Sequence, residues 1–262
     1  MSDLLARVTA FRAAFARRQA AELIEKPEFP GVFAVRDAEF ALSEEHNQLI
    51  VDGPGTDPAA LPELAARWLG RRRRYSVTVL DPEVGERVTP VLAAAGWERE
   101  EIVILARPTD GCQRPEPAAL PVELTGIREA VLRQQREWSE DGEVARQLTD
   151  RRTARLRGAE RVRGAERVRF LAARTPTGEV AAWSDLYLEP AAGLAQMEDG
   201  VTGSRHRGAG HGDTLLATGL ALAAEAGIPQ LFLLADAADW PREWYGRRGF
   251  VEIGRNPSFR SR

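Results

Sequence analysis

The sequence predicts an α/β (α+β) protein: a mixed, mostly antiparallel twisted sheet flanked by helices, laid out as two successive halves. Three observations carry that prediction. Between Val168 and Thr202, three apolar runs are separated by Thr175-Pro-Thr-Gly178 and Pro190–Gly193, which is the spacing of antiparallel hairpins. A glycine-rich loop follows at once and leads into an alanine-rich helical pattern, a short apolar strand and another helix. The first half shows the same succession in a worn form, without the glycines.

Taken in order, the chain opens with an amphipathic helix from Leu4 to about Ile24. Leu4, Val8, Phe11 and Phe15 share one face with Leu5 beside them, and Pro27 and Pro30 close it. Short strands are expected at Val32–Val35, Ala38–Leu42 and Asn47–Val51. The loop Asp52-Gly-Pro-Gly-Thr-Asp-Pro58 then enters a helix through Leu61, Leu64, Ala65 and Leu69. The run Arg71–Arg74 reads as a solvated strand entry or a distal phosphate contact. A strand at Tyr75–Leu80, a helix at Arg87–Ala95 and a strand at Ile102–Ala106 complete this half.

Four prolines, a glycine and few apolar residues between Pro108 and Pro121 mark the best linker in the chain. They divide it into residues 1–107, a linker 108–121 and residues 122–262. Beyond lie a helix near Gly126–Trp138 and an arginine-rich helical stretch near Glu143–Leu156. Arg157-Gly-Ala-Glu-Arg-Val162 is repeated at once as Arg163–Val168, which reads as a slippage duplication rather than a structural repeat. Strands follow at Val168–Ala173, Val180–Leu188 and Leu194–Thr202, and after the glycine loop a helix runs to Gly227 at its C′ position. Leu231–Ala235 is a buried strand, Trp240–Arg248 a helix capped by Asp239, and Phe250–Ile253 a final strand.

Composition narrows the function. The 262 residues suffice for one large domain or two modest ones, and 44% of them are hydrophobic, as in ordinary globular proteins. A net charge of −3 carries no basic footprint of a nucleic-acid binder. Lys26 is the one lysine among 36 basic residues, a bias that reads as a GC-rich genome, with a bacterial source as the expectation. Cys112 is the single cysteine, which excludes an intramolecular disulfide and a cysteine metal cluster; three scattered histidines argue against a zinc site. Met1–Arg18 is neither a signal peptide nor a membrane span, so no membrane association is expected and the cytoplasm is the default.

The chemistry concentrates in Arg205-His-Arg-Gly-Ala-Gly-His-Gly-Asp-Thr-Leu-Leu216. Glycines allow tight turns and close backbone approach, and the helix behind them supplies free N–H groups and a positive dipole end, a setting for pyrophosphate. A turn that merely starts a helix is the plain alternative. The flanking residues decide: Arg205-His-Arg-Gly208-Ala-Gly210 is followed, after a strand, by Trp244-Tyr245-Gly-Arg-Arg-Gly249-Phe250. In this order and separation the two motifs resemble those of the GNAT superfamily of N-acetyltransferases, strongly from about Val168 to Arg255. Many relatives have asparagine seven residues before the tyrosine, where this chain has Ala238; Asp239 is the available substitute. A Rossmann reading fails, because three antiparallel strands precede the loop and Asp236 lies too far downstream for a ribose ligand.

The resemblance implies a GNAT fold and an acyl-coenzyme A donor, most simply acetyl-coenzyme A, with no metal. The implied cofactor-binding residues are Asp199, Val201, Thr202, Arg205, Arg207, Gly208, Ala209, Gly210, His211, Gly212, Asp213 and Tyr245. Backbone N–H groups from about Arg207 to Gly212 would cradle the pyrophosphate, and Leu194–Thr202 would pair with the pantetheine arm along an open strand edge. Gly200 suggests a β-bulge that opens such an edge, or a simple bend. A backbone N–H near Val201 would polarise the thioester carbonyl. Tyr245 is the candidate general acid for the departing thiolate; Trp240 and Trp244, four residues apart, are expected on the core face and leave the phenol on a neighbouring one. A tyrosine that only packs is the alternative. Alternation turns Gln196 and Glu198 to the opposite side from Ala195, Met197 and Val201, making Glu198 the first candidate base, directly or through water, and Asp185 the reserve. A salt-bridged or solvated glutamate is the rival. Asp199 falls on the apolar parity, which fits a bulge at Asp199-Gly200.

Trp183 and Asp185, on the face shared with Ala181 and Tyr187, and Gln196 are the candidate acceptor-site residues; core packing is the alternative for Trp183. His206 and His211 read as solvated or phosphate-adjacent. In the first half, Asn47–Val51 occupies the place of the cofactor strand and Ala95-Gly96-Trp97 echoes the Gly-Phe ending, but acidic residues and prolines replace the glycine signature. The chain thus resembles a tandem member with a degenerate first copy, an independent N-terminal fold being the rival. The expected activity is acyl transfer to a primary amine of a small molecule, peptide or protein, by direct attack and without nucleic acid; a homodimer is a possible assembly. A non-catalytic acyl-coenzyme A binder is the other reading.

Overall fold

The computed structural model describes residues 3–70, 75–161 and 167–261. Arg71–Arg74 and most of the second hexamer of the duplication lie outside them. The chain divides into two compact units, one of residues 1–105 and 234–262, the other of residues 106–233. In each, a mixed and mostly antiparallel sheet is flanked by helices. The sequence reading assigns residues 234–262 to the C-terminal half; in the structure they cluster with the N-terminal unit.

The first unit begins with α1 (Asp3–Gln19), β1 (Glu22–Glu25), β2 (Val32–Arg36) and β3 (Gln48–Val51). The helix predicted to Ile24 ends at Gln19, and Glu22–Glu25 pairs antiparallel with β2 instead. The predicted strand at Ala38–Leu42 is a loop. Asp37 Oδ1 accepts the N–H groups of Glu39 and Phe40, while Asn47 Nδ2 donates to the carbonyls of Phe40 and Ser43. Such side-chain bonds satisfy backbone groups that a strand would need for its ladder. α2 (Leu61–Leu69), β4 (Ser76–Val79), α3 (Pro82–Ala94) and β5 (Glu98–Pro108) follow. Asp81 caps α3 by accepting from Glu83 and Val84, so this helix starts five residues before the predicted Arg87.

Strand β3 lies between β2, antiparallel, and β4, parallel, with α2 as the crossover. Alternation on β2 sends Val32 and Ala34 to one face, where Leu61, Leu64, Trp68 and Leu69 of α2 and Val84, Val88 and Leu92 of α3 bury them. Phe33 and Val35 pack on the other face against Ala13, Ala16 and Ala20. The chain returns to this unit with the end of β10 (Gln230–Asp236), α8 (Pro241–Gly246) and β11 (Val251–Arg260). β11 pairs antiparallel with β4 and is longer than the predicted Phe250–Ile253, because Phe259 joins the buried cluster under α2 and α3.

The second unit contains β6 (Leu120–Val122), α4 (Thr125–Trp138), α5 (Gly142–Asp150), α6 (Arg152–Arg161), β7 (Val168–Arg174), β8 (Val180–Glu189), β9 (Leu194–Thr202) and α7 (His211–Glu225). The order β6-β7-β8-β9 is antiparallel throughout, and β9 then meets the start of β10 in parallel. The proline-rich stretch is tied down rather than free. Ala119 N–H donates to Thr218 Oγ1 at 3.0 Å, Thr109 N–H to the Pro229 carbonyl at 3.1 Å, and Arg114 Nε to Glu225 at 2.6 Å. α7 covers one face of β7–β9, seated closely where Gly219 approaches Met197. Ile127 and Val131 of α4 pack on the other face against Phe170, Ala172 and Trp183. Both units therefore contain an antiparallel pair followed by a helix and a parallel strand: β2-β3-α2-β4 and β8-β9-α7-β10.

Candidate functional site

Two features of β9 and its sequel build the candidate site in the second unit. The first is where β9 loses its neighbour. Leu194, Ala195 and Gln196 pair with Gln230, Leu231 and Phe232, but β9 continues to Thr202, and among the described residues no β10 pairing follows Gln196. Against β8 the register shifts: Trp183 faces Val201 and Asp185 faces Glu198, so two residues on β8 span three on β9. The extra residue is a β-bulge at Asp199-Gly200. Asp199 itself takes the left-handed conformation, φ 49°, alone among the described non-glycine residues. Aspartate tolerates this region better than most side chains.

The second feature is the glycine loop. After Thr202 a short turn, Ser204–His206, leads to Gly208 at φ 77° and Gly210 at φ 83°. Gly210 is the N-cap of α7, whose first intrahelical bond runs from Thr214 N–H to the Gly210 carbonyl at 3.0 Å. The N–H groups of the first turn, at His211 and Gly212, precede that first bond, and the Gly210 N-cap makes no side-chain cap bond. A Cβ placed on Gly208 or Gly210 would meet nothing within 4 Å. The glycines answer a backbone demand, and the space over them is open. Arg205, Arg207, Ala209 and Asp213 are exposed on this loop, and His211 and Gly212 are half-buried. The exposed glycine backbone, the head of α7 and the two arginines give this loop N–H donors and positive charge.

Glu179 is a loop partner that sequence reasoning missed. Its Oε1 lies 3.0 Å from Arg205 Nη2, 3.1 Å from Arg133 Nη1 and 3.6 Å from His206 Nε2. The hydrogen bond from Arg133 leads in holding its carboxyl below the usual range. Beside it a cavity of about 20 Å³, room for one water, is lined by Arg133, Glu137, Trp183 and His206 among others.

The face of β8 and β9 predicted to meet an acceptor is filled from within the unit. Trp183, Asp185 and Gln196 do share it, since Asp185 pairs with Glu198 and Tyr187 with Gln196 across the strands. Trp183 packs with α4 and the other two are buried. Simple alternation separated a core side from a cleft side, but helices cover both faces, so parity alone does not mark exposure. Three arginines at the α5–α6 junction reach this face. Arg155 Nη2 lies 3.1 Å from Glu198 Oε2, and Arg155 Nη1 contacts both Asp185 Oδ2 and Asp199 Oδ2. Arg152 bridges Asp185 at 3.1 Å and Asp199 at 3.0 Å, and Arg151 meets Asp199 at 3.1 Å. Burial pushes the Asp199 carboxyl up, but Arg151, Arg152 and Arg155 outweigh it and hold the group well below the usual range. Glu198 is salt-bridged and keeps a quarter of its side chain exposed. The signal available in sequence was the Arg151-Arg152-x-x-Arg155 spacing opposite three carboxylates on neighbouring strands.

Tyr245 belongs to the first unit. It stands on α8, its ring 5.0 Å from Trp244 and 5.7 Å from Phe250, and burial raises its phenol above the usual tyrosine range. Trp240, expected on the core face, is 66% exposed. Pro241 opens α8 and Trp240 is its N-cap in helical conformation, its carbonyl accepting from the Trp244 N–H at 3.5 Å, so the four-residue phase holds but does not bury the Trp240 ring. Trp244 stacks under Arg248, 3.8 Å from guanidinium carbon to ring centre. Among the described residues no group of His, Cys, Asp and Glu is placed to hold a metal ion, and no helix is long and apolar enough to cross a membrane.

No family profile and no curated protein matches the chain. Solved structures do. A GCN5-related N-acetyltransferase from Kribbella flavida superposes with a TM-score of 0.66 at 17% identity, over 100% of this chain and 96% of that one. A functionally unknown conserved protein from Staphylococcus epidermidis gives 0.66 at 11% identity, covering 92% and 93%. A GCN5-related N-acetyltransferase from Sphaerobacter thermophilus gives 0.55 at 16% identity, covering 88% and 76%.

Proposed function

We propose, for a chain that has the GNAT fold, that it is an acyl-coenzyme A-dependent N-acyltransferase with acetyl-coenzyme A as the simplest donor. The observation that carries this reading is one continuous feature: the strand edge left open after Gln196, the bulge at Asp199, and the glycine loop at the head of α7. The residues fit such a donor. N–H groups at the start of α7 and the arginines of the loop would hold the pyrophosphate, and the edge from Glu198 to Thr202 would hydrogen-bond the pantetheine amides.

A bound donor supplies a thioester whose carbonyl carbon is attacked by the acceptor nitrogen; the N–C bond forms as the C–S bond breaks. A backbone N–H near Val201 on the open side of β9 is assigned to the carbonyl oxygen, where negative charge develops. Glu198 accepts the ammonium proton, through a water because Arg155 engages its carboxylate. Tyr245, given this role by the Gly-Phe motif, gives a proton to the thiolate and regains one as the attacking nitrogen sheds its second proton to become the amide; its raised pKa keeps it protonated at neutral pH. The acceptor is a primary amine on a small molecule, peptide or protein.

The ion pairs on Asp185, Glu198 and Asp199 favour a second reading, an acyl-coenzyme A-binding protein without turnover. Thiol release from acetyl-coenzyme A across a panel of primary amines separates the two. Amine-dependent release establishes transfer; tight binding with no release by any amine supports the second reading.

A further inference from the structure

The bulge of β9 is held in an unusual way. Gly200 would adopt a left-handed conformation at no cost, yet the chain places it on Asp199, φ 49°. The carboxylate of that residue receives three guanidinium groups: Arg151 Nη2 at 3.1 Å from both oxygens, Arg152 Nη2 at 3.0 Å and Arg155 Nη1 at 3.1 Å. The same arginines grip the neighbouring strand. Arg152 Nε donates to Asp185 Oδ1 at 3.1 Å, Arg155 Nη1 to Asp185 Oδ2, and Arg155 Nη2 to Glu198 Oε2 at 3.1 Å. Arg152, Arg155 and Asp185 are fully buried. Such charges persist in a core only when paired, and here three carboxylates face three guanidiniums, with Arg152 Nη1 buried outside the hydrogen bonds.

The bulge sits where β9 has just parted from β10, three residues beyond the last pair at Gln196 and Phe232. Fixing Asp199 therefore fixes the direction of the strand edge that leads to the glycine loop. We propose that Arg151, Arg152 and Arg155 are positioning residues that strap the Asp199 bulge to Asp185 of β8 and so set the open edge of β9 for the acyl donor. This inference rests on the acyl-donor reading above. It adds that an ion network at the α5–α6 junction, remote in sequence from both motifs, governs donor affinity.

The test uses Asp199→Gly, which keeps the left-handed backbone without the carboxylate, and Arg151→Met with Arg151→Lys as its conservative partner. Arg152 and Arg155 are left intact, since removing either strands the buried Asp185. Amide exchange is read in the free proteins at Glu198–Thr202, and coenzyme A affinity is read by calorimetry. Asp199→Gly and Arg151→Met should exchange faster over that segment and bind coenzyme A about tenfold more weakly, with melting retained in Arg151→Met and lowered in Asp199→Gly, which takes a carboxylate from the buried Arg152 and Arg155. Arg151→Lys should recover most of the affinity. Unchanged exchange and affinity in the folded variants would overturn the strap and leave the arginines as mere charge compensation. Faster exchange in the variants with no coenzyme A binding by the parent would refute the donor reading while upholding the strap.

Discussion

Replacing Gly210 by aspartate puts a carboxylate at the head of α7, in the space that the donor reading gives to a pyrophosphate. The structure supplies both sides of the expectation. Nothing lies within 4 Å of a Cβ at this position, so the fold meets no clash. The backbone stands at φ 83°, where an aspartate costs about 1 kcal/mol, and a negative charge at a helix N-terminus returns roughly 0.3–1 kcal/mol. The melting temperature should therefore move by no more than about 4 °C. Against the ligand, a carboxylate about 5 Å from a phosphate in an effective dielectric of about 40 costs roughly 1.7 kcal/mol per unit charge. Two phosphate charges raise that to about 3 kcal/mol, on the order of a 100-fold loss of affinity. Gly210→Asn matches the aspartate in size and in tolerance of the left-handed region but carries no charge, so the difference between the two variants isolates the electrostatic part. Calorimetric titration of coenzyme A at two salt concentrations reads it, and added salt should narrow the gap. Equal affinity in Gly210→Asp, Gly210→Asn and the parent would refute the loop as the phosphate site.

Two further expectations follow from the same geometry. Tyr245→Phe should lower turnover by on the order of 10² with little change in coenzyme A affinity. Because burial raises the phenol above the usual tyrosine range, its ionisation should cost the parent no activity at neutral or mildly alkaline pH; a Phe variant with parental turnover removes the acid role. Arg155→Met should destabilise the second unit by about 3–5 kcal/mol, read as a fall in its urea midpoint, because Asp185 and Glu198 lose an ion-pair partner inside the fold; a loss under 1 kcal/mol would show that the network compensates without it.

Much of this was legible in the sequence because it lies in local pattern. The three hairpin strands from Val168 to Thr202 and the helix ending before Gly227 follow from alternation and from turn residues, and they stand as read. Gly200 pointed to the bulge, although Asp199 carries the left-handed angle. What escaped was tertiary. Glu22–Glu25 looked like the tail of a helix, and only pairing with β2 makes it a strand. Ala38–Leu42 had strand composition, but Asp37 and Asn47 close it into a loop through bonds no periodicity reveals. The ion partners of Glu198 and Asp199 come from a helix more than 40 residues away in the chain, and Glu179 meets the glycine loop from the β7–β8 turn. The clustering of residues 234–262 with the first unit is likewise set by β11 finding β4.

The most direct test of the central claim is amide exchange of the parent chain with and without acetyl-coenzyme A, with NAD(H) as control. Acetyl-coenzyme A should protect Glu198–Thr202 and the loop from Arg207 to Asp213, and NAD(H) should protect neither. Protection confined to other segments, or given equally by NAD(H), would contradict the assignment of this strand edge and loop to an acyl donor.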